Sequence, residues 1–347
     1  MKPATIRDVA LRAEVSVASV SRVLNKAGRV ADETRDRVLQ AVSELAYVPH
    51  SGARSLSTRR NDAIGVILPD LYGEFFSELI RGMDLAARER GLHLIVSSSH
   101  DDADEARSAM QAMHGRVDGL IILSPHLEDV APAGKGPPVL TMHGGSHGPS
   151  IMVDNRGGAI EAVEHLIAGG RRRIAYIGGP KGNAEAEGRL AGYRTAVETA
   201  GLEPIMFDGN FDRPSGEAAG ARIANVSPRI DAVFAANDMM AVGALKALLD
   251  AGLRVPEDVA VIGFDDVPLA SLVRPSLSTM GIDIAAMGRR ALVRVVALIE
   301  REEDVDRAIR ETVRPMLVAR QSTPAPIGEA TGGKSPPQQN LREEFNV

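Results

Sequence analysis

Residues 15–25, VSVASVSRVLN, decide how this chain is to be read. The run holds four valines, three serines and a single charged side chain, Arg22. With Ser16 as its cap, a helix through it buries Val20, Val23 and Leu24 along one stripe and leaves Val17, Ala18, Ser21, Arg22 and Asn25 facing outward. That outer face carries too little charge to hold an anion by charge alone and too little apolar surface to anchor a core. Its neighbours must say what it does.

Both neighbours read as short helices. Thr5 caps the first, with Asp8 three residues on, and Ile6, Val9 and Ala10 recur on one face. Asp32 is the expected cap of the third, in which Val38, Leu39, Val42 and Leu45 repeat at helical spacing. Helices this short bury little individually, so the three must share one core within residues 1–48. Pro49 ends that unit, and residues 49–60 form a basic linker around one large apolar residue, Leu56. Gly52 costs a helix in that linker about 1 kcal/mol relative to alanine, and the segment alone in water is expected to be disordered.

From residue 63 the pattern changes to strands alternating with helices. AIGVILP, LHLIVSSS and VDGLIIL are apolar strands, followed after a Gly- and Pro-rich stretch at 131–149 by RRIAYIGG, IMFDG, DAVFAAND and VAVIGFDD. Helices are expected at 75–90, 103–113, 156–168, 187–200, 215–224 and 239–250. Continuous apolar strands between helices imply parallel sheets covered on both faces. The break near 131–160 divides the body, residues 61–320, into two similar lobes with a cleft between them. STMGI near 278–282 and ETVRPMLVA at 311–319 supply closing strands, which the pattern does not assign to one lobe or the other. Residues 321–347, rich in proline and mixed charge, are expected to form a disordered tail.

The 347 residues are 44% apolar and 25% charged, as in soluble globular chains. The net charge of −6 is unevenly spread: residues 1–60 hold eleven Lys or Arg against six Asp or Glu, which leaves −11 for the rest. A basic head on an acidic body points to an anionic partner for the head alone. Cysteine is absent, which excludes disulfides and thiolate metal sites. No leader and no apolar run of membrane length are present, and the chain reads as cytoplasmic.

A helix, a tight turn and a second helix that starts with small residues is the pattern of a helix-turn-helix. The string TIRDVALRAEVSVASVSRVLN, followed at 47–56 by YVPHSGARSL, closely resembles the LacI/GalR family of bacterial transcription regulators, and the resemblance runs from Thr5 to about Arg320. It implies a small all-α helix-turn-helix head, a hinge helix, and an α/β two-lobed sensor body like that of periplasmic binding proteins, with parallel sheets.

The resemblance also implies roles. Val17, Ala18 and Arg22 match base-reading positions, where Arg22 can offer two donors to guanine and a valine methyl can meet a thymine methyl. Thr5, Ser16, Ser19, Ser21 and Asn25 are candidate phosphate contacts. Leu56 matches the residue that wedges into the minor groove, two copies entering together from a homodimer, while Arg54 neutralises the backbone. Two positions depart from the family's pattern. Glu14 stands where the turn usually carries glycine, at a cost of about 1–2 kcal/mol if its backbone is left-handed. Gly52 weakens the hinge.

In the body, polar residues end the strands at Asn237, Asp265 and Asp154, where open parallel sheets bind ligands. Hydroxyl-rich ligands need such carboxylates and amides, with an aromatic ring against their apolar face. By resemblance, Arg189 and Asp265 hold the effector, Phe211 packs on it, Asn237 is a cleft residue, and Phe75 and Phe76 are the first lobe's contribution. Asp154 is placed at the rim, and Asp238 reads as a helix cap. His143 stands where many relatives carry aspartate, and it can donate as well as titrate near neutrality. Asn183 occupies a place where purine-responsive relatives carry a basic residue.

The implied function is a homodimeric repressor that binds a near-palindromic operator on double-stranded DNA and is controlled by a small sugar or sugar phosphate. A regulator of the same family responding to a non-sugar metabolite is the alternative. A periplasmic-type solute-binding protein would need an export signal and no head, and a sugar-active enzyme would need paired cleft carboxylates with split acid and base roles. The glycines of IGGPKGNAEAEG match neither GxGxxG nor a P-loop, no GxSxG elbow occurs, and the histidines are scattered. No cofactor, no metal site and no catalytic residue is expected.

Overall fold

The computed structural model describes residues 4–24, 29–47, 60–124, 136–143, 148–300 and 310–324. Asn25, Gly52, Arg54 and Leu56, and with them nearly all of the linker, lie outside the described residues.

The head is three helices, α1 (Ile6–Arg12), α2 (Val17–Leu24) and α3 (Asp32–Glu44). Thr5 and Asp8 form a reciprocal capping box on α1, and Ser16 accepts from the Ser19 amide at 3.1 Å to cap α2. Val9, Ala10, Ala13, Val20, Val23, Val38, Ala41 and Tyr47 make the shared core. Two details differ from the sequence reading of α3. Asp32 is its first residue rather than its cap, because Ala31 takes the capping position without a side-chain bond and Asp32 pairs with Arg35 at 3.0 Å instead. Leu39 is 49% exposed, since the buried face of α3 runs through Val38, Ala41, Val42 and Leu45 and turns Leu39 away from it. Glu14, in the turn between α1 and α2, adopts φ +54°, the left-handed conformation that glycine takes without strain.

Lobe 1 is a six-stranded sheet in the order β11-β5-β4-β3-β1-β2, from β1 (Ala63–Leu68), β2 (His93–Ser98), β3 (Gly119–Ile122), β4 (Val139–Thr141), β5 (Ser150–Val153) and β11 (Arg310–Val313). Lobe 2 repeats it as β12-β10-β9-β8-β6-β7, from β6 (Ile174–Ile177), β7 (Ile205–Phe207), β8 (Ala232–Ala235), β9 (Ala260–Asp265), β10 (Ser278–Gly281) and β12 (Met316–Val318). All pairings are parallel except β10 with β12. Every residue of β1, β8 and β9 is buried, as continuous apolar strands in a two-faced sheet require.

Helices cover both sheets: α4 (Glu74–Arg88) and α5 (Ala103–Met113) in lobe 1, α6 (Asn155–Ala168), α7 (Ala184–Thr199), α8 (Arg213–Ile223) and α9 (Asp238–Asp250) in lobe 2. A short α10 (Pro268–Leu272) follows β9. The sequence reading omitted α11 (Ile284–Glu300), which leaves lobe 2 after β10 and returns to pack on α4 of lobe 1. The two helices approach closely at Gly82, where a Cβ would stand 1.9 Å from the Ala285 carbonyl oxygen.

The chain therefore crosses between lobes three times, after β5, after β10 and between β11 and β12. This resolves the closing strands: 278–281 belong to lobe 2, whereas 310–313 and 316–318 divide between lobes across Arg314 and Pro315. The expected tail starts too early. Ser322 and Thr323 are buried in lobe 2, where Ser322 accepts from the Ser278 amide at 2.8 Å and donates to the Val261 carbonyl at 2.6 Å, and Thr323 meets His165 at 2.8 Å. These small hydroxylated residues satisfy polar groups at the end of the sheet and tie residues 322–323 to lobe 2.

Candidate functional site

On α2, Val17 is 42% exposed, Ala18 and Arg22 are exposed, and Ser19 and Ser21 are half-buried beside the Val20–Val23 stripe. Thr5 and Ser16 are exposed at the starts of α1 and α2, each engaged in its own cap. Their positions follow from one helical period: burying residues 20 and 23 against α1 and α3 turns residues 17, 18 and 22 away from the core.

The lobes enclose a cavity of about 480 Å³. Its lining follows the carboxyl ends of nine strands, β1 to β9, the position at which doubly wound sheets receive ligands. Phe75, Phe76, His143, Arg189, Phe211, Asn237 and Asp265 all line it.

Its most constrained part is Arg189, 5% exposed on α7. Its Nε donates to Asn155 Oδ1 at 2.8 Å, its Nη1 to the Ala236 carbonyl, and its Nη2 lies 3.1 Å from Asp265 Oδ1. The guanidinium sits 3.9 Å from the Phe264 ring centroid and 5.8 Å from that of Phe211. Asp265 Oδ1 is close enough for this ion pair but makes no aligned hydrogen bond. Burial pushes the Asp265 carboxyl up to about 6, against the opposing pull of Arg189, while Glu185 adds to the rise. Both Asp265 and Phe211 hold positive φ, +108° and +59°, strain of the sort that functional sites retain.

Asn237 caps α9, accepting from the Met240 amide at 2.9 Å, and its amide group donates to the Phe211 carbonyl at 2.8 Å. The cap thus holds the Phe211 loop in place. Gly179 leaves room for the ring, since a Cβ there would lie 2.6 Å from Phe211 Cζ. Across the cleft, Phe75 and Phe76 meet edge to face at 5.4 Å between centroids, half-buried against the lobe 1 core. His143, 3% exposed, follows β4.

Asp154 is not part of the lining. Its carboxylate accepts from the Gly157 amide at 2.8 Å and caps α6. The adjacent Asn155 serves the site in its place, joining Arg189 to Glu185. Asp238 is likewise not the α9 cap. It lies 1% exposed below the cavity, accepts from Thr279 at 2.6 Å and from the Val267 amide at 2.9 Å, and is held well above the usual carboxylate range by burial and by Asp265. Glu185 escaped the sequence reading although it stands four residues before Arg189, on the same face of α7. Asp70, Asp101 and Asp212 also line the cavity, on loops whose polar residues carry no periodic signal.

Residues 5–50 match the model of bacterial regulatory proteins of the lacI family, and residues 163–323 that of a periplasmic binding protein-like domain. The ribose operon repressor of Halalkalibacterium halodurans is 34% identical over 92% of this chain and 97% of its own length. The chain belongs to the LacI/GalR family. Among solved structures, the lac repressor dimer bound to operator and the anti-inducer ONPF superposes with a TM-score of 0.83 at 31% identity, covering 93% of this chain and all of that one. The transcriptional regulator CelR in complex with cellobiose gives 0.68 at 32% identity, covering 92% and 99%.

The protein is thus a LacI/GalR transcriptional regulator, with a helix-turn-helix head and a two-lobed sensor body like that of periplasmic binding proteins. The family is regulatory, not catalytic. Among the described residues no helix is long and apolar enough to cross a membrane, and no group of three or more His, Asp or Glu is placed to hold a metal ion.

Proposed function

We propose that this LacI/GalR regulator is a homodimeric repressor that binds a near-palindromic operator in the cytoplasm and is controlled by a small sugar held between its lobes. The observation that carries this reading is the cavity itself, closed by residues from both lobes, with Arg189 and Asp265 buried at its floor and Phe75, Phe76 and Phe211 supplying aromatic faces. Carboxylate, amide and guanidinium groups around apolar rings are the complement of a sugar's hydroxyls and its C–H face. The cellobiose complex of CelR supports a carbohydrate ligand.

On the DNA side, Val17 and Ala18 would approach base edges closely while Arg22 reaches a guanine. Thr5, Ser16, Ser19 and Ser21 would position the head on phosphates, with Asn25, Arg54 and Leu56 completing the contact as the family resemblance implies. Because ligand contacts fall on both lobes, binding favours one lobe spacing over another, and a linker that folds on DNA responds to that spacing. Footprinting on the chain's own upstream DNA tests the first part: protection of a near-palindromic site at low salt is expected, and its absence contradicts the reading. Calorimetry with a broad sugar panel tests the second. A panel without binding, together with no change in operator release on Arg189→Ala, would end the sugar assignment.

A further inference from the structure

The cavity's charge balance is lopsided. Among the described residues, Asp70, Glu74, Asp101, Glu185, Asp212 and Asp265 line it, six carboxylates against the two guanidinium groups of Arg189 and Arg213. Both arginines already face carboxylates. Arg189 is committed to Asn155, the Ala236 carbonyl and Asp265, and Arg213 pairs with Glu217 at 2.7 Å. His100, also in the lining, is raised by its contact with Glu105 and is neutralised by it when protonated. No lysine belongs to the lining among the described residues. Asp265, 4% exposed, keeps Oδ1 without a hydrogen bond inside the protein, and this buried acceptor stands at the cavity floor.

We propose that this cavity selects a neutral or positively charged polyhydroxylated ligand, a plain or amino sugar, and rejects phosphorylated and carboxylated ones. The inference rests on the sugar reading above and narrows it. A phosphate would enter a cleft lined by several like charges, in which each arginine among the described lining residues already faces a carboxylate. An ammonium group would find carboxylates on both sides of the cleft. A sugar hydroxyl would find acceptors, among them Asp265 Oδ1, which has the Arg189 ion pair but no aligned hydrogen bond.

The test is calorimetry on the full-length protein with neutral mono- and disaccharides, each paired with its amino and phosphate derivatives, and with neutral and cationic compounds that are not sugars, such as nucleosides and diamines. The phosphate derivative is expected to bind about 100-fold or more weakly than its neutral parent, as opposed like charges dictate. In Glu185→Gln, the ratio of amino-derivative to phosphate-derivative affinity is expected to fall about tenfold, a ratio that a uniform loss of binding leaves unchanged. A phosphorylated sugar that binds as tightly as its parent overturns the inference and leaves the sugar reading standing. Binding confined to neutral or cationic compounds that are not sugars does the reverse. A panel in which nothing of either charge binds overturns both.

Discussion

Arg189 and Asp265 face each other 3.1 Å apart with only 6% of either side chain exposed, at the floor of the cavity between the lobes. The arginine is held so far from water by further partners, Asn155, the Ala236 carbonyl and the Phe264 ring, whereas Asp265 Oδ1 has the ion pair alone. The pair joins α7 to the end of β9 and sets the shape that a ligand meets.

Removing one member leaves the other buried without its counter-charge. Arg189→Ala is expected to destabilise the protein by about 3 kcal/mol and to abolish the effector response. Denaturant unfolding and effector-dependent operator release check the two effects. Unchanged stability would mean that the pair is more hydrated than its burial implies.

The raised Asp265 carboxyl makes stability depend on pH in a defined direction. Its pKa of about 6 lies above the 3.8 of an unperturbed group, so between these values the folded protein holds the proton more tightly than the unfolded chain. Its contribution is fully present below pH 4, declines as pH rises toward 6, and is constant above about 7, with a total span of about 3 kcal/mol. Other carboxylates titrate in the same range, so the quantity to measure is the stability difference between wild type and Asp265→Asn. The wild type is expected to lose ground against the variant from pH 4 to 6, and a flat difference would show that Asp265 titrates normally.

Glu14 is strained where it stands. Its φ of +54° costs a non-glycine residue about 1–2 kcal/mol, part of which glycine returns as greater freedom in the unfolded chain. Glu14→Gly is expected to stabilise the head by about 0.5–1 kcal/mol and, by removing an anion beside the recognition helix, to tighten operator binding at low salt. Thermal unfolding and operator titrations at two salt concentrations measure both.

The chain end offers a stability test in lobe 2. A chain ending at Arg320 loses the buried bonds of Ser322 and Thr323, whereas one ending at Pro324 keeps them. The shorter form is expected to be less stable by about 2–3 kcal/mol, read from denaturant midpoints, since it leaves buried groups on Val261, Ser278 and His165 without partners.

Much of this was readable in the sequence, for identifiable reasons. The α2 stripe at Val20 and Val23 and the fully apolar β1 and β9 are periodic signals that burial enforces. Arg189, Asp265 and Phe211 are marked by family resemblance, and all three line the cavity. Helix α11 has apolar residues at helical spacing, but nothing in that local pattern says that the helix leaves lobe 2 to pack on lobe 1. Asp154 was misplaced because a carboxylate before a helix can cap it or face a ligand, and the Gly157 amide decides in favour of the cap. Ser322 and Thr323 gave no signal, since small polar residues before a proline-rich end read alike whether buried or exposed.

The central claim is that α2 reads DNA sequence, and selection of bound fragments from random duplexes by the full-length protein tests it most directly. The wild type is expected to enrich one near-palindromic motif. Arg22→Ala should relax the preference at one base pair in each half-site, with a loss of about 1–3 kcal/mol on the preferred sequence. Failure to enrich any motif at low salt, or a motif that Arg22→Ala leaves unchanged, would contradict it.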